Sequence, residues 1–176
     1  MVKTSKTSAK NKAKLTTWGW IWRLLVALAI PLGIGGLSAL ISGDSMSAFG
    51  NFNQPPLAPP AWLFPVAWTV LYILMGIACF LVWTRPTSKQ MTLKEKTTFF
   101  VVYGVQLAFN FLWSIFFFNL GWHWFAFAWL IVLWAMILFL VIWGLKNHRA
   151  VMWLLLPYLL WVTFAGYLNL MIAILN

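Results

Sequence analysis

Few residues in this 176-residue chain could do polar chemistry, and where they fall limits what that chemistry is. Asp44 and Glu95 are the only acidic residues, and both lie outside the long apolar runs. No Asp, Glu, Lys or His sits in the middle of such a run. Proton relays, coupled pumps and voltage sensors need ionisable groups at membrane depth, so those classes are excluded. General acid–base hydrolysis and metal catalysis are unsupported for the same reason. Cys79 stands alone, and His123 and His148 fall near span ends on opposite sides of the membrane, so they cannot form one site.

The polar groups at depth are neutral. Gln106 and Asn110 are four residues apart and Trp113 follows three later, which puts all three on one helical face. An Asn and a Gln surrounded by lipid must find hydrogen-bond partners, so this face turns inward. Two uses are open to it: bonding between helices, or a polar handle on a ligand. The same spacing collects Trp68, Tyr72 and Met75 on a second face. A third holds Pro157, Trp161, Ala165 and either Leu168 or Asn169. Three inward aromatic faces with few polar groups describe an apolar small-molecule pocket, although such stripes also serve as packing.

The elements that position these faces must be membrane helices. The chain is 63% hydrophobic and 8% charged, against about 25% charged in soluble domains. A bilayer takes about 20 apolar residues per helix, and five runs are long enough: 17–41, 61–83, 97–118, 122–145 and 151–175. Lipid cannot satisfy backbone polar groups, so each span is helical. The expected fold is an all-α integral membrane protein, a bundle of five transmembrane helices over residues 17–176, preceded by a basic, disordered tail over 1–16. The first run is too long for a signal peptide and no small-residue cleavage site follows it.

Charge then orients the bundle. Lys and Arg lie before the first span, between spans two and three (Arg85, Lys89, Lys94, Lys96) and between spans four and five (Lys146, Arg149). All three segments face one side, and the other carries only Asp44. The positive-inside rule places the N-terminus in the cytoplasm and the C-terminus outside. Topology therefore accounts for the net charge of +10, and no nucleic-acid partner is called for.

The loop 42–60 ends in Asn51-Phe-Asn-Gln-Pro-Pro-Leu-Ala-Pro-Pro60. Prolines fix φ and remove N–H donors, so this segment is expected to be a stiff, extended strap over the bundle's outer mouth. In span one, Ala29, Gly33 and Gly36, with Gly35 and Ala39 beside them, form a small-residue face, expected to pack within the chain or to support a dimer. The chain's 14 tryptophans divide in two. Trp18, Trp20, Trp22, Trp83, Trp143 and Trp153 are placed as anchors at the inner boundary, and Trp62, Trp122 and Trp124 at the outer. Trp68, Trp113, Trp129, Trp134 and Trp161 lie deeper, where anchoring does not explain them.

From about Gly35 onward the chain resembles the TspO/MBR family, the tryptophan-rich sensory proteins of bacteria and the mitochondrial translocator proteins. The resemblance is carried by Pro55, Pro59-Pro60-x-Trp62, Pro65-x-x-Trp68-x-x-x-Tyr72-x-x-x-Gly76 and Gln106-Leu-Ala-Phe-Asn110-x-x-Trp113. It ends in Pro157-Tyr158-x-x-Trp161-x-x-Phe164-Ala165-x-x-Leu168-Asn169. It implies a five-helix, usually dimeric membrane fold that binds porphyrins (protoporphyrin or haem) and aromatic drug-like ligands, with no required cofactor. The ligand-lining positions it implies are Phe49, Pro55, Pro60, Trp68, Tyr72, Asn110, Trp113, Leu130, Trp134, Trp161, Ala165 and Leu168. Light-dependent porphyrin breakdown belongs to some bacterial relatives, and no residue here compels it. A bacterial plasma membrane follows if the host is bacterial.

Three departures bear on the ligand. One Trp of the family's loop pair is missing at Ala48-Phe49, a basic loop residue is replaced by Gln54, and Trp129 stands where many members carry an acid. A porphyrin's propionates would find no Lys or Arg on the outer face, only Asn51, Asn53, Gln54, indole N–H groups or water. The expected function is binding of a flat, amphipathic molecule for sensing, transport or disposal. The rivals are a structural or interaction protein with packed aromatics, and a carrier of hydrophobic cargo along the bundle surface.

Overall fold

A computed structural model describes residues 17–47, with only the backbone of 44–47, then 52–89 and 91–176. The basic tail, Phe49 and Asn51 lie outside the described residues. Helix α1 spans Thr17–Ser47, α2 Leu63–Thr84, α3 Leu93–Ser114, α4 His123–Asn147 and α5 Arg149–Leu175. All five are long and apolar enough to cross a membrane, and no strand occurs among the described residues. The protein is an all-helical, five-span integral membrane protein.

Two boundaries move from the expected ones. α1 continues beyond Ile41 to Ser47, because no proline follows Pro31 within it and Ser42 is tied at that level to Asn119 (2.7 Å). α3 begins at Leu93 because Thr92 caps it, its hydroxyl accepting from the Glu95 N–H at 3.2 Å. Glu95 itself sits in the first turn, where a negative charge suits the helix dipole. Beyond Ser114, α3 widens into a π-helical turn over Ile115–Asn119. Asn119 there donates to the Ile41 carbonyl at 3.0 Å, so the ends of α1 and α3 are stitched together.

Without a hydrophobic force between helices in lipid, close backbone approach holds such a bundle together. At Gly144 an added Cβ would lie 2.7 Å from the Met152 backbone nitrogen, so α4 and α5 meet backbone to backbone. Gly76 plays the same part between α2 and α1, where a Cβ would lie 2.9 Å from the Ala27 carbonyl oxygen. Pro31 explains that contact, because it lacks the N–H that would otherwise bond this carbonyl.

The small-residue face of α1 divides: Gly35 packs within the chain, and the rest of it does not. Ala29 and Gly33 are exposed, and added Cβ atoms at Gly33 and Gly36 meet nothing within 4 Å. The inward stripe is instead Ala27, Pro31, Ser38 and Ser42, with half-buried Gly35 against the Tyr72 ring. Two further expectations change. Trp143 is no boundary anchor: it is buried, packs on Phe99 at 4.8 Å and donates to the Glu95 carboxylate at 3.1 Å. Pro157 faces outward, since the inner stripe of α5 runs through Leu155, Tyr158, Val162, Ala165 and Asn169.

One end of the bundle gathers the cations. The Arg23 guanidinium lies 5.6 Å from the centre of the Trp83 ring. Lys96 Nζ donates to the carbonyls of Trp83 and Arg85. His148, in the short α4–α5 connection, has its pKa lowered chiefly by burial and then by the Arg85 charge, which places it at this end too.

The strap occupies the opposite end, and it is folded rather than extended. Ala58 N–H donates to the Pro55 carbonyl at 3.1 Å, and Leu57 has φ of 69°. This is a turn with proline at its second position and a left-handed residue at its third, as in type II turns. The folded strap is pinned to the end of α5. Tyr167 OH donates to the Pro56 carbonyl at 2.7 Å, Asn53 Nδ2 to the Leu175 carbonyl at 3.1 Å, and Asn53 N–H to Asn176 Oδ1 at 2.9 Å. Phe52 packs edge-on against His123 at 5.1 Å, which ties the strap to the start of α4.

Candidate functional site

Towards the strap end, α1, α2 and α3 enclose an apolar cavity of about 230 Å³. Its floor on α1 is Leu32, Gly35, Gly36, Ser38 and Ala39. Pro65, Trp68, Thr69 and Tyr72 of α2 form one wall, and Trp113, Ser114 and Phe118 the other. Gly35 is required here, because a Cβ would lie 2.3 Å from the Tyr72 ring. Trp68 stacks on Tyr72 at 5.6 Å, and Trp113 on Phe117 at 5.3 Å. Such pairs contribute about 0.5–1.5 kcal/mol beyond their buried area and hold the walls flat.

Behind the wall lies a buried polar chain that links three helices. Tyr72 OH donates to Asn110 Oδ1 at 2.9 Å, Asn110 Nδ2 donates to Tyr158 OH at 2.8 Å, and Tyr158 OH donates to Gln106 Oε1 at 2.9 Å. A parallel tie fixes the other wall: Trp113 Nε1 donates to Asn169 Oδ1 at 3.1 Å, and Asn169 Nδ2 to the His123 carbonyl at 2.8 Å. Gln106, Asn110 and Trp113 therefore face inward together, as their spacing requires. Asn110 is bonded between helices and acts on the cavity through Tyr72; it is not among the lining residues.

The residues singled out by sequence divide among several surfaces. Trp68, Tyr72 and Trp113 line the cavity. Trp161 meets Trp68 edge-on at 6.5 Å but opens on a separate groove between α2 and α5, with Pro157 and Phe164. Its Nε1 is buried without a partner. Leu130 and Trp134 line a third groove, between α4 and α5, where Trp134 Nε1 donates to Thr163 Oγ1 at 2.8 Å. Ala165 and Leu168 are buried on α5 away from the cavity lining, and Met75 is fully buried. Pro55 is buried in the strap and Pro60 is exposed; Pro65 is the proline that touches the cavity. Trp129 is accounted for by packing, stacked on Phe109 at 4.1 Å with Nε1 on the Phe109 carbonyl at 2.9 Å.

Tyr158 is the member of the polar chain that spacing alone passed over. Its signal was a phenol within an apolar span, which needs a partner just as Asn110 does. Ser38 and Ser114 add hydroxyls to the lining, and Gly35 adds the room for Tyr72. Among the described residues no group of His, Cys, Asp or Glu could hold a metal ion. Among the described residues, no charged side chain lines the cavity. The arrangement can bind a flat apolar surface between aromatic walls, with the hydroxyls of Ser38 and Ser114 at its margin.

Comparison with known proteins bears on this geometry. The TspO/MBR family pattern matches residues 27–175. The chain is similar to the tryptophan-rich protein TspO of Archaeoglobus fulgidus, with 34% identity over 89% of this chain and 98% of the relative. It is similar to the tryptophan-rich sensory protein of Cereibacter sphaeroides, with 34% identity over 86% and 88%. It is also similar to the human translocator protein, with 28% identity over 85% and 87%.

Proposed function

The chain belongs to the TspO/MBR family, and from that premise we propose that it is a membrane receptor or carrier for a tetrapyrrole or a similar flat, amphipathic molecule. The observation that carries this reading is the cavity between Trp68, Tyr72 and Trp113 on one side and the small-residue floor of α1 on the other. Its volume is about 230 Å³, below the roughly 300–1,000 Å³ of most small-molecule sites. One edge of a macrocycle would enter between the aromatic walls, and the rest would displace the strap.

Among the described residues the lining carries no cation, and Asn53 Nδ2 already donates to the Leu175 carbonyl. Recognition then rests on the aromatic faces and not on carboxylate pairing. In this reading the basic end faces the cytoplasm by the positive-inside rule and the cavity opens to the outside. Exposed Ala29 and Gly33 offer a second copy a smooth face for close approach.

The test is titration of the purified protein with protoporphyrin and with its dimethyl ester, followed by tryptophan fluorescence. Saturable quenching, similar for acid and ester and weakened at least fivefold in Trp68→Phe or Trp113→Phe, is expected. Trp134→Phe, in the separate groove, should bind as the wild type does. Quenching that never saturates, or is equal in all three variants, would leave only surface adsorption and contradict the reading.

A further inference from the structure

A further apolar groove lies at the other end of the molecule. It runs between α1 and α3 over α2 and has a volume of about 420 Å³. Ala27 and Ile30 form one bank, Gly104 the other, and Cys79, Trp83 and Tyr103 complete it. Gly104 deepens it, since a Cβ there would stand in open space.

The groove is not simply greasy. Both cations nearest its basic end converge on Trp83, one of its own lining residues. Arg23 lies over the indole ring at 5.6 Å and Lys96 Nζ donates to the Trp83 carbonyl at 3.3 Å. The Glu95 carboxylate, the one acidic side chain among the described residues, accepts from Trp143 Nε1 at 3.1 Å. A cationic mouth therefore opens onto an uncharged channel. From Arg23 to Ile30 the channel runs about 10 Å along α1 at 1.5 Å per residue. That is roughly two thirds of one leaflet of a bilayer whose hydrocarbon core is about 30 Å thick.

We propose that this groove is a binding site for an anionic phospholipid of the leaflet at the basic end. Its phosphate sits between Arg23 and Lys96, and one acyl chain lies along Val26, Ile30 and Gly104. A zwitterionic lipid brings its own cation to the mouth and gains less from the pair, so the site selects by net headgroup charge. The site is separate from the cavity at the strap end and does not depend on what that cavity binds.

The experiment is native mass spectrometry of the full-length protein in neutral detergent. Phosphatidylglycerol and phosphatidylcholine with identical chains are added at equal concentration. The wild type is expected to retain phosphatidylglycerol preferentially. Arg23→Gln should reduce that preference about fivefold, as expected for removing one cation near the headgroups. Gly104→Leu keeps both cations but fills the channel, and should reduce retention of both lipids. If Gly104→Leu melts well below the wild type, Ile30→Trp fills the same channel from the exposed bank and takes its place. Equal retention of the two lipids by the wild type would overturn the site, as would full retention by the channel-filling variant. A stable dimer that excludes phosphatidylglycerol would also overturn it, because a second copy would then occupy the groove.

Discussion

At the scale of single residues, Tyr158 is the joint on which the polar chain depends. It accepts from Asn110 and donates to Gln106, both buried. Tyr158→Phe removes one hydroxyl and leaves two amide side chains short of a partner. A loss of about 1–3 kcal/mol is expected, from the cost of unsatisfied buried polar groups, and thermal unfolding in detergent would show it as a lowered Tm. An unchanged Tm would mean that the chain holds nothing together. Trp113→Phe should be milder in stability, because only the bond to Asn169 is lost, yet it removes part of the cavity wall. The inward turn of Asn110 was legible in the sequence because an amide in lipid has no alternative. Its partners were not, because helical spacing places residues on faces but does not say which helix each face meets. Trp143 shows the same limit: its position near a span end suggests an anchor, and only the packed bundle brings it to Glu95.

At the scale of elements, glycines decide how near the helices come. Gly76→Ala would bring a methyl group to 2.9 Å from the Ala27 carbonyl and the Leu28 Cα, both backbone atoms. Forced overpacking of this kind costs about 1–3 kcal/mol, so Gly76→Ala should lower the Tm of the whole bundle. Gly35→Ala pushes instead on the Tyr72 ring, and should weaken ligand binding through the shifted wall more than it lowers stability. Gly36→Ala, with nothing within 4 Å, is the neutral control; if all three melt alike, helix approach is not set by these contacts. The strap offers a further prediction. Tyr167→Phe removes its bond to the Pro56 carbonyl, and stopped-flow fluorescence should show faster ligand release. An unchanged release rate would show that the strap does not gate the cavity. Five helices were legible from length and apolarity alone, because a bilayer admits little else. The fold of the strap was not: its prolines predict extension, while the turn depends on Leu57 adopting a positive φ that no neighbouring residue type announces. The inward face of α1 was equally hidden, since Ala29, Gly33 and Gly36 share the small size of the packed stripe without sharing its position.

At the scale of the whole molecule, the bundle has two unlike ends. Cations, capping groups and the short α4–α5 connection gather at one, and the aromatic cavity and the pinned strap at the other. Sequence charge foresaw this polarity, but the sequence did not reveal that the eleven expected lining positions among the described residues would spread over distinct surfaces. The central claim is that deep tryptophans at the strap end, and not the chain's general richness in tryptophan, form a ligand site. Fluorine NMR of protein labelled with 5-fluorotryptophan tests it most directly, with each of the 14 signals assigned by single Trp→Phe substitutions. On addition of protoporphyrin, the signals of Trp68 and Trp113 should shift strongly through the macrocycle's ring current and saturate at one ligand per chain. Trp161 should follow, while the exposed Trp18, Trp22 and Trp153 should stay in place. Shifts spread evenly over the exposed tryptophans, with Trp68 and Trp113 unmoved at saturation, would contradict the account.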